Sequence, residues 1–264
     1  MSLSKRILLI LSLCVFVGCG IYIGKYYYDC HKASEKISKI QHLADSVGSA
    51  SGSGNQNSNQ GNSEERDQYA QNGMILGYYK AYQQNNDMVG WIRLPGTKIN
   101  YPVMQQKDNN DYYLHRDFEG KYQYSGLPFM DYQCDLNMPG GNLIIYAHNM
   151  RDGSMFASII DYKDKNFFES NPIIYFDTNY KRGKYKVFAA FSTKVGSSDE
   201  FEYHKHTQLG TTQEYDAYVQ EVKRRSFYDT GITPVFGDQL LTLSTCSYGR
   251  SNERTVVVAK RVSN

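Results

Sequence analysis

Three side chains in this sequence have the types and settings that acyl-transfer chemistry needs: Cys246, Arg254 and His148. Cys246 closes the apolar run LLTLSTC, and Arg254 opens the run RTVVVAKRV eight residues later. A free thiol has a pKa of about 8.5, so little of it is thiolate at neutral pH unless a cation stands beside it. A guanidinium stays protonated and can donate several hydrogen bonds to a developing oxyanion. The pair still lacks a proton carrier, and His148, in NLIIYAHNM, is the candidate for it. Taken singly, each has a blander reading. A lone cysteine is most often a small inert hydrophobe, a lone histidine a surface or capping residue, and a lone arginine a solvated charge.

The elements that would have to position these groups are strands. Residues 240–246 and 255–258 are mostly aliphatic or β-branched, and the SYGRSNE between them is polar, with Gly249 and Asn252 as turn residues. A hairpin of this form returns Arg254 to the sheet end where Cys246 lies. The run 142–146 predicts another strand, with His148 just past its end. Strands are also predicted over 88–93, 98–104, 126–131, 173–178, 184–193, 239–246 and 254–262, with 142–149 completing eight. Short strands with frequent turn signals predict an antiparallel or mixed barrel rather than alternating βαβ units. Residues 211–227 are the clearest soluble helix: Tyr215, Tyr218, Val219 and Val222 repeat at helical spacing, and Lys223, Arg224 and Arg225 suit its C-terminal end.

With their contexts the three residues resemble the sortases, and class B among them. The resemblance rests on L-T-L-S-T-C at 241–246 with Arg254, on I-I-Y-A-H-N at 144–149, on 88–120 and on SGLPFMD at 125–131, so it extends over most of 85–262. It implies a mainly β fold: an eight-stranded sortase-type barrel with N-terminal helices and one long helix in the loop before the cysteine strand. In that class the insertion carrying the long helix forms one wall of the substrate groove. The resemblance also implies a cysteine transpeptidase that cleaves an NPxT- or SPxT-like motif after Thr. The thioacyl intermediate then passes to an amine of peptidoglycan or lipid II. Cys246 would be the nucleophile, His148 the acid and base, and Arg254 the oxyanion donor. Ser244, Thr245, Ser247, Tyr248 and Asn252 are secondary candidates for substrate contact, Ser247 through its backbone N–H. The expected partners are surface proteins bearing a C-terminal sorting signal. No cofactor is required, and no carboxylate cluster suggests calcium. Two other functions stay open: a cysteine peptidase delivering the acyl group to water, and a non-catalytic surface assembly module.

Along the chain, 1–6 read as a cytoplasmic N-terminus, 7–24 as a transmembrane anchor, 25–63 as a stalk and linker, 64–87 as a helical extension and 88–264 as the catalytic barrel. Residues 7–24, ILLILSLCVFVGCGIYIG, are long and apolar enough to span a bilayer, follow Lys5 and Arg6, and lack an evident cleavage site. This predicts a single-pass membrane protein with its catalytic domain outside. Residues 46–63 are built of Gly, Ser, Asn and Gln and predict a flexible linker between anchor and domain. Two short helices are expected within 64–85, interrupted by Gly73 and Gly77.

The 264 residues, 41% hydrophobic, suit one domain with a sizeable core, and 24 Tyr with 12 Phe favour a β-rich fold. A net charge of +2 argues against nucleic acid as the partner. His204 and His206, two apart, would share a face in a strand and could share a metal, but no third ligand stands nearby. A disulfide between Cys134 and Cys246 is open in an oxidising compartment and would consume the nucleophile.

Overall fold

Every residue from Leu240 to Thr245 is buried, which a strand with one wet face would not be. A strand buried on both sides needs cover on both. The computed structural model describes residues 3–45, 68–138, 140–197, 200–246 and 252–262, with Cys246 described through its backbone only. In it a barrel interior covers one face of that run and helical segments cover the other. The strands are β1 (Met88–Arg93), β2 (Asn100–Met104), β3 (Phe129–Met130), β4 (Asn142–Tyr146), β5 (Ile173–Thr178), β6 (Lys184–Lys194), β7 (Leu240–Cys246) and β8 (Glu253–Val262). They close into a barrel in the order β1-β2-β3-β4-β7-β8-β6-β5. The pairings are antiparallel except β2–β3 and β4–β7.

This is the mainly β, eight-stranded barrel expected from the sequence, with the second, third and fourth strands shorter than expected, the fourth ending at Tyr146 rather than at 149. The second begins at Asn100 because Leu94 N donates to Ile99 O and Thr97 Oγ1 to Leu94 O, which closes a turn over 94–99. The third shrinks to Phe129–Met130 because Gly126 takes a left-handed φ of 54° and Pro128 has no N–H to give a ladder.

Among the described residues four α-helices form: α1 (Leu3–Asp45), α2 (Leu76–Tyr82), α3 (Lys165–Ser170) and α4 (Thr212–Arg225). Helix α4 starts where Thr211 Oγ1 accepts from Glu214 N at 3.2 Å and the Glu214 carboxylate accepts from Thr211 N at 3.1 Å, a reciprocal capping box. Its apolar stripe, Tyr215, Tyr218, Val219 and Val222, is buried. Asn142 Nδ2 donates to the Tyr218 hydroxyl at 3.1 Å, which ties the helix to the first residue of β4.

Residues 7–24 and the polar stretch after them form one unbroken helix, α1. It is long and apolar enough to cross a membrane by length and composition, and its apolar window is wholly unburied. Its second half differs from the stalk expected of it. Ala33, Ile37 and Ile40, spaced on one face, are buried against α2 and β2. Lys36 pairs with the buried Asp117, and Gln41 Nε2 donates to Asn100 O at 2.7 Å. The linker expected over 46–63 lies outside the described residues; the end of α1 and α2, on either side of it, pack against each other. Among the described residues of 64–87 one helix forms rather than two. The chain before it closes a small bridge between Tyr69 and Ile75.

Beneath α2 lies a polar cluster centred on Asp177. Its carboxylate is 1% exposed and accepts from Tyr78 OH, Arg93 Nη2 and Arg182 Nη1, each at 2.7 Å, and from Gly183 N at 3.0 Å. Burial and then the Asp177 charge hold the Tyr78 phenol protonated far above its usual range. Tyr78 also stacks on Trp91 with centroids 5.9 Å apart, which joins α2 to β1.

Candidate active site

Antiparallel strands joined by a short turn must bring their adjoining ends together. β7 and β8 accordingly pair from Leu240↔Lys260 to Cys246↔Arg254, so the proposed nucleophile and the arginine are cross-strand partners at the barrel rim. His148 reaches the same rim by a different route. β4 runs parallel to β7 in register, ending with Tyr146↔Ser244. Past that pair, Ala147 N donates to Ser244 O at 3.2 Å and Thr245 Oγ1 donates to Ala147 O at 2.7 Å. His148 and Cys246 each follow immediately after this clamped pair. The structure thus places the backbones of Cys246, Arg254 and His148 at one end of three adjacent strands.

The imidazole is held from the other side by the 3₁₀ turn Tyr112–His115. His148 Nε2 lies 2.9 Å from Leu114 O, and a carbonyl can only accept, so Nε2 carries the proton. Nδ1 is therefore the nitrogen left for proton transfer. The His115 ring stacks on His148 with centroids 5.0 Å apart, and Tyr124 lies nearly parallel to it at 6.4 Å. His115 is itself oriented by Nδ1 donating to Tyr124 O at 3.0 Å. Burial chiefly, then the neighbouring His115 and Arg254 charges, push the His148 pKa below the ordinary histidine value, against the pull of the Leu114 carbonyl.

Removing the aromatic neighbour gives a signed expectation. In His115→Asn the His148 ring resonances should titrate at higher pH than in the unsubstituted protein, because a like-charged neighbour is lost and the site is better solvated. An unchanged or lower titration midpoint by NMR would count against this role for His115.

Gly126 fixes the same carbonyl. At its φ of 54° an added Cβ would fall 2.3 Å from Leu114 O and 2.4 Å from Tyr113 O, both backbone atoms. Gly126→Ala must displace the acceptor of His148, and kcat should fall about 10²-fold, the scale of a misplaced catalytic group. Gly153→Ala serves as control: its φ is likewise left-handed, but its added Cβ meets only the end of the Lys98 side chain, at 3.7 Å. Equal losses in the two variants would show that backbone strain alone was being measured.

Of the secondary candidates, Ser244 and Thr245 are buried and turned to internal partners, Ser244 Oγ to Tyr203 OH at 2.7 Å and Thr245 to Ala147 O. They hold β7 in place. Asn252 is exposed with a φ of 66°. Ser247 and Tyr248 lie outside the described residues. Cys134 is a free, buried thiol whose Sγ donates to Asn142 O at 3.3 Å and accepts from Ile144 N at 3.3 Å. Burial pushes its pKa up to about 12, which suits a structural residue and neither a nucleophile nor a disulfide partner. His204 sits in a 3₁₀ turn rather than a strand, and the His206 ring packs on Tyr218 and Phe201 beside α4. Among the described residues no cluster of three metal-ligating side chains forms.

Sequence reasoning missed His115, Tyr124, Gly126 and the Leu114 carbonyl. The stretch that holds them entered as part of a resemblance, and Gly126 as the start of an expected strand. A backbone carbonyl has no sequence signal, and the two rings are marked by nothing beyond their types.

A family model described as a sortase domain matches residues 92–262. The chain is 38% identical over 178 residues to sortase B of Staphylococcus aureus, spanning 67% of this chain and 70% of that one. It is 36% identical over 181 residues to sortase B of Listeria monocytogenes, spanning 68% and 71%. The solved Staphylococcus aureus sortase B–substrate complex matches it with a TM-score of 0.73 at 29% identity, over 89% of this chain and 99% of that one.

Proposed function

The chain belongs to the sortase family as a cysteine transpeptidase of class B, and from that premise we propose that Cys246, His148 and Arg254 carry its reaction at the surface of a membrane that α1 crosses. The observation that carries this reading is the strand register: Cys246↔Arg254 across β7–β8, with His148 at the matching level beyond β4.

Cys246 as thiolate attacks the carbonyl carbon of the Thr in an NPxT- or SPxT-like sorting motif. Arg254 and backbone N–H groups stabilise the oxyanion of the tetrahedral intermediate. The C–N bond breaks as His148 gives its Nδ1 proton to the departing amine, which leaves a thioacyl enzyme and a neutral imidazole. An incoming amine of peptidoglycan or lipid II then attacks the thioester, its proton goes to Nδ1, and thiolate is released. Nε2 stays protonated on Leu114 O throughout, so the ring need not turn over between the two halves. Cys and His titrate as a pair, and a pH–rate profile reports on the pair.

The test uses the full-length chain in detergent or nanodiscs, because the second half of α1 packs on the barrel. Quenched fluorescent peptides ending in NPQTN, SPKTG, PPKTG or LPETG are supplied with and without triglycine, and products are identified by mass spectrometry. Amine-ligated product that disappears in Cys246→Ala supports the transpeptidase and identifies its motif. Hydrolysed product alone, at saturating amine, would favour a peptidase instead.

A further inference from the structure

The rim that carries His148 is joined to α1 by a short chain of aromatic rings. Tyr26 of α1 meets Tyr124 edge-on at 6.3 Å, and Tyr124 lies parallel to His148 at 6.4 Å. Because α1 is unbroken, Tyr26 stands two residues past the end of the apolar run, a rise of about 3 Å at 1.5 Å per residue. The headgroup layer on each side of a bilayer is about 5–7 Å deep, so a helix leaving the hydrocarbon at Gly24 holds Tyr26, Tyr27 and Tyr28 within it. Tyrosine suits that layer, with its ring against hydrocarbon and its hydroxyl in water. Tyr27 and Tyr28 are exposed on the helix. So are Tyr122, at 76%, and Tyr124 on the neighbouring loop, where Tyr122 bridges back to Arg116. The exposed Lys25 and Arg116 add positive charge that anionic headgroups would meet.

From this juxtaposition we infer that Tyr122 and Tyr124, together with Tyr26 to Tyr28, form a membrane-docking face that lays the His148 rim of the barrel against the headgroups of the bilayer that α1 crosses. The inference rests on the proposed anchoring by residues 7–24 and adds a fixed orientation to it. The exposed tyrosines are then a second point of attachment beside the helix. The reacting peptide bond is engaged at the membrane surface rather than at a distance set by a linker.

The chain's single tryptophan, Trp91, is buried, so an added tryptophan reports on its own surroundings. Full-length Tyr122→Trp, Phe16→Trp and Tyr180→Trp are reconstituted in vesicles of phosphatidylcholine and phosphatidylglycerol, with and without brominated acyl chains near the headgroups. Phe16 lies inside the apolar run, and Tyr180 sits between β5 and β6, at the end of the barrel away from Cys246. The expected result is emission from Tyr122→Trp quenched severalfold more than that from Tyr180→Trp, alongside quenching of Phe16→Trp. Tyr124→Trp gives the same reading at a second rim position should the first variant fold poorly. Quenching of Phe16→Trp with both rim variants no more quenched than Tyr180→Trp would overturn the docking face and leave the anchor standing. Quenching of none of them would overturn both.

Discussion

His148→Ala is expected to lower kcat/KM for cleavage of a sorting-motif peptide by about 10²–10⁴-fold, the range over which a positioned acid and base contributes. Cys246→Ala is expected to remove the thioacyl intermediate altogether. The two losses differ in kind. Without Cys246 no covalent intermediate forms, whereas without His148 the Cys246 thiolate can still attack and the departing amine must take its proton from water. Burst experiments on the full-length enzyme should therefore show a slow but measurable thioacyl adduct in His148→Ala and none in Cys246→Ala. The thermal melt of His148→Ala should stay near that of the unsubstituted protein, because the imidazole's hydrogen bond among the described residues is to one backbone carbonyl, Leu114 O. Cleavage by His148→Ala within about tenfold of the parent would fall short of general acid–base catalysis and remove the imidazole from the mechanism. The lowered pKa of His148 adds a pH sign: burial chiefly favours its neutral ring. Removing His115 takes away one cause of the lowered His148 pKa, and the cleavage profile, which reports on the Cys–His pair, should shift to higher pH.

Asp177→Ala should have the largest effect on stability. The carboxylate lies at 1% exposure among two guanidiniums and a phenol, and removing it leaves both arginines and the Tyr78 hydroxyl without their shared acceptor. Breaking a buried pair costs about 3–5 kcal/mol. The two arginines are themselves 39% and 36% exposed and can turn toward water, so the lower end, about 3 kcal/mol, is expected. For a chain of this size that is a fall in Tm of about 10 °C. Asp177→Asn keeps an acceptor without the charge and should fall between. Turnover per folded molecule should not change, because the cluster joins α2, β1 and β5 and touches neither His148 nor Arg254. A melting point within about 2 °C of the parent would show that the arginines and Tyr78 find replacement partners at almost no cost.

Much of this was legible in the chain. Eight strands could be read from composition because residues that pack on a pleated surface cluster where the barrel needs them. β1 and β5 fall on the expected residues, and β7 and β8 differ by one at their starts. Helix α4 could be read from its stripe and basic end, and its cap lies at Thr211, where the expected helix begins. The docking of α1 was half visible. Ile37 and Ile40 share a face in the sequence, but an apolar stripe does not say what it will cover, and Asp117, which receives Lys36, is a distant loop residue. The Asp177 cluster was invisible for a related reason: its members, Tyr78, Arg93, Asp177 and Arg182, lie on separate elements and each reads as an ordinary surface residue.

The sequence by itself determined that Cys246 and Arg254 meet, because two strands joined by a short turn can hardly do otherwise than pair end to end. The run Leu240 to Thr245 can also be buried on both faces, because it carries no charged side chain. Which strand lies beside which was decided only in three dimensions. His148 stands next to Cys246 because β4 and β7 pair in parallel, through contacts such as Thr245 to Ala147 that span 98 residues of sequence. No local pattern encodes a parallel neighbour at that separation. It follows from closing the barrel with its other strands in place. The orientation of the imidazole is likewise tertiary, since its partner is the carbonyl of Leu114, an atom every residue has, placed by the close fit of Gly126 beneath it.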